Sequence, residues 1–171
     1  MMKKAILATS LILTVIFFSV AGYAYSKDPI ASLDGQPVTK VTLANYVNDV
    51  AGSSYEPWLN DAQGLRKLAD FYINRTLLLA YARQQVEKDD TIVNNHSGRS
   101  VDEDTMYLTA LLKTEVQEKA TVGEDTIEAY LKEKQNISYT QAKIELESEK
   151  KRTLMEQLVN QVRSGHEIKY F

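Results

Sequence analysis

The chain has 171 residues, 44% of them hydrophobic and 25% charged, with a formal net charge of −3 and no cysteine. That is material for about one globular domain, and it excludes disulfides, thiolate catalysis, zinc–thiolate sites and lipidation at a cysteine. Charges of both signs are mixed along the chain without a basic block, which argues against nucleic acid or an anionic lipid surface as a partner.

The chain opens on the basic "MMKK", followed by the apolar run "AILATSLILTVIFFSVAGYA" and the small residues of "GYAYS". This order predicts a secretory signal over 1–26, cut after Ala24 or Ser26. The alternative is an uncleaved anchor, because Ala5 to Ala24 is just long enough to span a bilayer. Loss of Lys3 and Lys4 would leave 18 bases against 23 acids, net −5. The expected location is periplasmic or secreted, or anchored in the inner membrane and facing the periplasm. A single domain over 27–171 would then rely on burial for its stability, which a chain of that size can supply.

Next, "IASLDGQPV" reads as a hairpin, Ile30–Leu33 and Gln36–Val38, turned by Asp34-Gly35. Thr39 follows as a helix cap, and the helix over about Lys40–Val50 places Leu43, Tyr46, Val47 and Val50 on one face, ending at Gly52. "SSYEPWLNDAQG" reads as a loop or broken turn. A long helix over about Asp61–Glu87 carries Leu65, Leu68, Ala69, Tyr72, Ile73, Leu79 and Val86 at 3–4 spacing. The run Leu77, Leu78 and Leu79 widens its apolar face, so cover from more than one side is expected.

After the polar "KDDTIVNNHSGR", Ser100 and Glu103 have capping-box spacing and predict a helix to about Lys119, with Leu108, Leu111, Leu112 and Val116 inward. Thr121 and Glu124 repeat that spacing before a short helix, Glu124–Lys134, with Ile127, Tyr130 and Leu131 on one face. Ser138 and Gln141 repeat it again before a last helix over Tyr139–Arg163, with Ala142, Leu146, Leu154, Leu158 and Val162 inward. Ser164-Gly165 ends that helix. The alternating "HEIKY" needs a partner strand, and the expected partner is the hairpin at 30–38, because three strands packed on helices are stable where a lone hairpin is marginal. The predicted fold is mainly α: about five helices with a small antiparallel sheet formed by an N-terminal hairpin and the C-terminal strand.

Three stretches, "ASLDGQPVTKVTLANYV", "LADFYINRTLLLAYARQQ" and "ATVGEDTIEAYLKEK", in this order behind a signal-like leader, resemble the N-terminal domain of the SurA-type periplasmic chaperones and related parvulin-type isomerases. The final helix and "EIKYF" are similar to the segment that returns in those proteins to complete the domain. The resemblance spans nearly all of 30–171 and implies an ATP-independent chaperone or assembly factor that binds unfolded or outer-membrane client polypeptides. It departs from the family at "KEKQNISYTQ", where a few residues stand in place of the inserted isomerase domain, and at Gly123, where a Ser, Thr or Asp cap is usual. The alternatives are a relative of the prolyl isomerases and a dedicated-partner subunit of an envelope or polysaccharide-export complex. The short joint also permits a homodimer by exchange of the last helix and strand.

No catalytic residue, metal ligand set or cofactor loop is expected. His96 and His166 read as solvated, and Glu87, Asp89, Asp90 and Asp102, Glu103, Asp104 as helix-end charges. The aromatic content points instead to binding of varied polypeptides. Tyr55, Trp58, Tyr72, Tyr107 and Met155 are the candidate client-binding residues, each with the plainer alternative of a core or rim side chain.

Overall fold

The computed structural model describes residues 28–134 and 136–171, apart from 87–101. It is mainly helical, with a small three-stranded antiparallel sheet, as the sequence predicts. Strands β1 (Ala31–Leu33), β2 (Gln36–Val38) and β3 (Ile168–Tyr170) lie in the order β2-β1-β3. Between β2 and β3 run the helices α1 (Lys40–Tyr46), α2 (Ala62–Val86), α3 (Glu103–Leu112), α4 (Glu124–Glu133) and α5 (Tyr139–Arg163). The leader, the Glu87, Asp89 and Asp90 cluster, His96 and Ser100 lie outside the described residues.

The sheet joins both ends of the described chain. Asp34 and Gly35 adopt positive φ, 49° and 79°, as a two-residue hairpin turn of this hand requires. The turn makes Leu33 and Gln36 partners, so Pro37, one residue on, turns its missing N–H away from β1 to the sheet edge. On the other side of β1, Ala31 pairs with Tyr170 and Leu33 with Ile168. The Asp34 amide donates to the Glu167 carbonyl at 2.8 Å, and the Phe171 amide to that of Ile30 at 3.1 Å, bracketing this ladder.

Helix ends follow local side-chain chemistry, with corrections to the predicted caps. Thr39 caps α1 through a box in which Thr42 supplies the return bond. α3 starts one residue after Asp102, whose carboxylate accepts from the Thr105 amide, so the Ser100–Glu103 box does not set this start. α4 starts behind Gly123 with no side-chain cap, and Thr121 donates back to the Glu118 carbonyl instead. Ser138 caps α5 as predicted, but the Gln141 side chain turns away to Glu145.

The expected loop after α1 is helical: Ser53–Asn60 forms a 3₁₀ segment. Asp61 then opens α2, accepting from the Gly64 amide at 2.6 Å. A Cβ at Gly64 would stand 2.6 Å from the Trp58 carbonyl oxygen, so glycine lets the first turn of α2 press on the 3₁₀ backbone.

The core gathers Ala31, Val38, Leu43, Val47, Leu68, Ile73, Leu77, Leu78, Leu111, Leu158 and Val162. α2 runs through its centre, meeting α1, the 3₁₀ segment, α3 and the second half of α5. Of the leucine run, Leu77 and Leu78 are buried, whereas Leu79 remains partly exposed. Each fully buried Leu or Ile contributes about 1.5–3 kcal/mol. The first half of α5 packs on α4, where Ile127 and Ala142 are buried apart from this core. A polar knot fastens the end of α5: Arg163 donates to Asp70, to Asn74 at 2.6 Å and to the Tyr170 hydroxyl, which in turn donates to Asp70.

Candidate functional site

α1 does not continue to Val50. Its last turn widens into a π turn over Val47–Ala51, closed by the Gly52 amide donating to the Val47 carbonyl at 2.8 Å. The wider turn rotates Val50 off the buried face on which 3.6 spacing placed it, and Val50 is 47% exposed. Together with Val41, which is 37% exposed, it forms one lip of an open cleft between α1 and α2.

That cleft has a volume of about 380 Å³. Val41, Tyr46, Val50 and Tyr72 give it an apolar lining, and Thr42, Asn45, Asp49, Arg75 and Thr76 give it polar groups. Tyr46 and Tyr72 meet edge to face with centroids 5.7 Å apart, the arrangement that the ring quadrupoles favour. Burial pushes the Tyr46 phenol above its ordinary range, with the nearby Arg75 guanidinium working against that rise. Thr76 bonds back to the Tyr72 carbonyl at 2.8 Å, which holds its hydroxyl against the helix.

A second group of rings joins the 3₁₀ segment to α2. Tyr55 and Trp58 stand edge to face at 5.1 Å, and both contact Phe71, at 6.1 and 5.9 Å. The Lys67 ammonium sits 5.5 Å from the Trp58 ring centroid. Phe71 is 42% exposed, and it lies one helical turn from Arg75 on the same face of α2. The half-buried rings of the 3₁₀ segment thus meet the exposed Phe71 on α2, while Val41 and Val50 are exposed on the α1 side of the cleft.

The five candidate residues do not form one site. Tyr55 and Trp58 share the ring cluster, and Tyr72 lines the cleft. Tyr107 lies on α3 under the Arg83 guanidinium, 5.8 Å from it, and Met155 packs on the core from α5. Neither of these two lines the cleft. Sequence reasoning missed Val41, Val50, Phe71 and Arg75. A π turn leaves no spacing signature, so Val50 reads as buried. Phe71, by contrast, falls outside the 3–4 pattern of Leu68, Tyr72 and Ile73, and that offset was a usable sign of exposure.

His166 is exposed, as expected, and is also bonded. Its Nδ1–H donates to Asp34 Oδ2 at 2.6 Å, while Asp34 Oδ1 accepts from the Glu167 amide at 2.9 Å. These bonds, the histidine's first, hold the Asp34 carboxyl below its usual range. Asp102, Glu103 and Asp104 do sit at a helix N-terminus, and Asp104 also binds Arg83 at 2.6 Å. Among the described residues no group of three or more His, Asp or Glu could hold a metal ion, and no helix is long and apolar enough to cross a membrane.

Comparison with models of known families, with characterised proteins and with solved structures finds no match to this chain.

Proposed function

We propose that the chain is an exported, ATP-independent chaperone or assembly factor that holds segments of unfolded or partly folded polypeptides in the cleft between α1 and α2. The observation that carries this reading is the exposure of Val41 and Val50 at the lip of a cleft lined by Tyr46 and Tyr72, with Phe71 also exposed on α2. Apolar groups gathered at a cleft and rimmed by polar ones suit an interaction site. Rings with polar tips accept varied apolar segments, and burying those segments supplies the binding free energy without a nucleotide.

The resemblance to the SurA-type domain supports the same reading through the hairpin, the apolar long helix and the returning strand. It carries no isomerase role, because residues 134–138 alone join α4 to α5 and leave no room for a module of about a hundred residues. The test is a light-scattering assay with an unfolded outer-membrane β-barrel protein diluted from urea. Substoichiometric to equimolar protein should delay its aggregation, and Val50→Asp should weaken the delay. An unchanged aggregation time with the wild-type chain would refute the proposal. A clear acceleration of proline-limited refolding would replace it with the isomerase reading.

A second reading has its own observation. Tyr139 and Ile144, 44% and 53% exposed, sit in the first turns of α5, which lines no part of the cleft. A dedicated partner would cover such a spot. Capture of one stoichiometric partner, lost on Ile144→Asp and kept on Val50→Asp, would favour that reading.

A further inference from the structure

We propose that Arg75 makes the α1–α2 cleft selective for polypeptide segments in which a carboxylate adjoins an apolar or aromatic residue, with the carboxylate docking on the guanidinium. This inference rests on the client-binding reading and adds the chemistry of the preferred segment.

Arg75 projects from α2 into the wall of the cleft, and its side chain is only 22% exposed. A guanidinium carries five N–H donors in a planar fork. Among the described residues none accepts a hydrogen bond from it. It forms an ion pair with Asp104 at 3.7 Å, too long for a hydrogen bond, and Asp104 gives its other oxygen to Arg83 at 2.6 Å. Among those residues no fully buried side-chain nitrogen or oxygen lacks a partner, so any unpartnered Arg75 nitrogen keeps some exposure, and Arg75 lines the cleft. An arginine that is largely withdrawn from water, with its donors open, is a ready receptor for a carboxylate, which can take two parallel N–H bonds.

The surroundings define the rest of the ligand. Val41, Tyr46, Val50 and Tyr72 fit an apolar or aromatic side chain next to the carboxylate. Asp49 also borders the cleft and disfavours a run of acids. The matching segment is therefore apolar with one carboxylate. That carboxylate can belong to an Asp or Glu side chain or to a C-terminal residue.

The test is fluorescence anisotropy on the full chain with three labelled eight-residue peptides that share an apolar, aromatic core. One carries a central Glu and a capped C-terminus. The second carries Gln there and is also capped. The third carries Gln and a free C-terminal carboxylate beside an aromatic residue. At least one carboxylate peptide should bind about tenfold more tightly than the capped Gln peptide, the scale of one charge-assisted bidentate contact. Which one does so identifies the source of the carboxylate. Arg75→Gln should abolish the preference, so that it binds the carboxylate peptides and the capped Gln peptide alike, and Arg75→Lys should retain part of it. Equal binding of all three peptides by the wild-type chain, or a preference that survives Arg75→Gln, would overturn the inference and leave the client-binding reading standing. Failure of every peptide to bind would overturn both.

Discussion

Asp34, in the hairpin turn, and His166, 132 residues further along the chain, lie 2.6 Å apart with the imidazole N–H directed at the carboxylate. The pair stands where β3 enters the sheet beside β1, so it latches the last strand to the first. Because the folded carboxyl titrates below its ordinary value, its contribution is present above the unfolded pKa of about 3.9 and is lost as pH falls through the lower folded value. Both side chains are substantially exposed, so salt and water weaken the effect. Urea melts at a series of pH values should show stability declining below about pH 4, and part of that decline should disappear in Asp34→Asn. An identical acid limb in the variant would show that the latch contributes nothing.

Tyr170 ties the same strand to the helices, because its hydroxyl serves Asp70 and Arg163 together and its ring lies 4.8 Å under the Arg66 guanidinium. Tyr170→Phe keeps the ring and removes the hydroxyl. It should cost about 1.5–3 kcal/mol, the range for a bond involving charged groups, with an unchanged m-value in urea. A loss near zero would mean that water replaces the hydroxyl without penalty.

Gly64→Ala tests the contact of α2 with the 3₁₀ segment. The new methyl would meet the Trp58 backbone at 2.6 to 2.7 Å, and backbone cannot yield as a side chain can. Overpacking of this kind costs about 1–3 kcal/mol. Trp58 is the single tryptophan, so its emission should shift as the ring cluster with Tyr55 and Phe71 is displaced. An unshifted spectrum and full stability would place the two segments further apart than described.

Leu68 and Ile73 are fully buried in α2 where the other helices converge. Ile73→Ala should cost about 2–5 kcal/mol. Phe71→Ala, two residues away but largely at the surface, should cost much less and should reduce client binding instead. If the two substitutions destabilise the chain equally, Phe71 is a core residue and the exposed apolar surface is smaller than stated.

Much of the fold was legible in the sequence because local chemistry and tertiary packing agree. Asp34-Gly35 admits few conformations other than a tight turn, Thr39 and Ser138 cap the helices they precede, and the alternation of "HEIKY" finds its partner in β1. Three features were not legible, each for a physical reason. The helical form of Ser53–Asn60 is hidden by Pro57, which breaks an α-helix but is accommodated in this 3₁₀ segment. The start of α3 differs because Asp102 caps it, accepting from the Thr105 amide, whereas a Ser100 cap would have accepted from the Glu103 amide. The cleft itself depends on a π turn that 3.6 spacing does not foresee, so the sequence points to Tyr72 and misses Val50 and Arg75, which complete it.

The proposed binding of polypeptide segments between α1 and α2 would show in backbone-amide NMR of the folded domain titrated with an apolar, aromatic peptide. Shifts should concentrate at Val41–Val50 and Tyr72–Thr76, with Phe71 beside them. Shifts confined to Tyr139–Ile144, or none at saturating peptide, would contradict it.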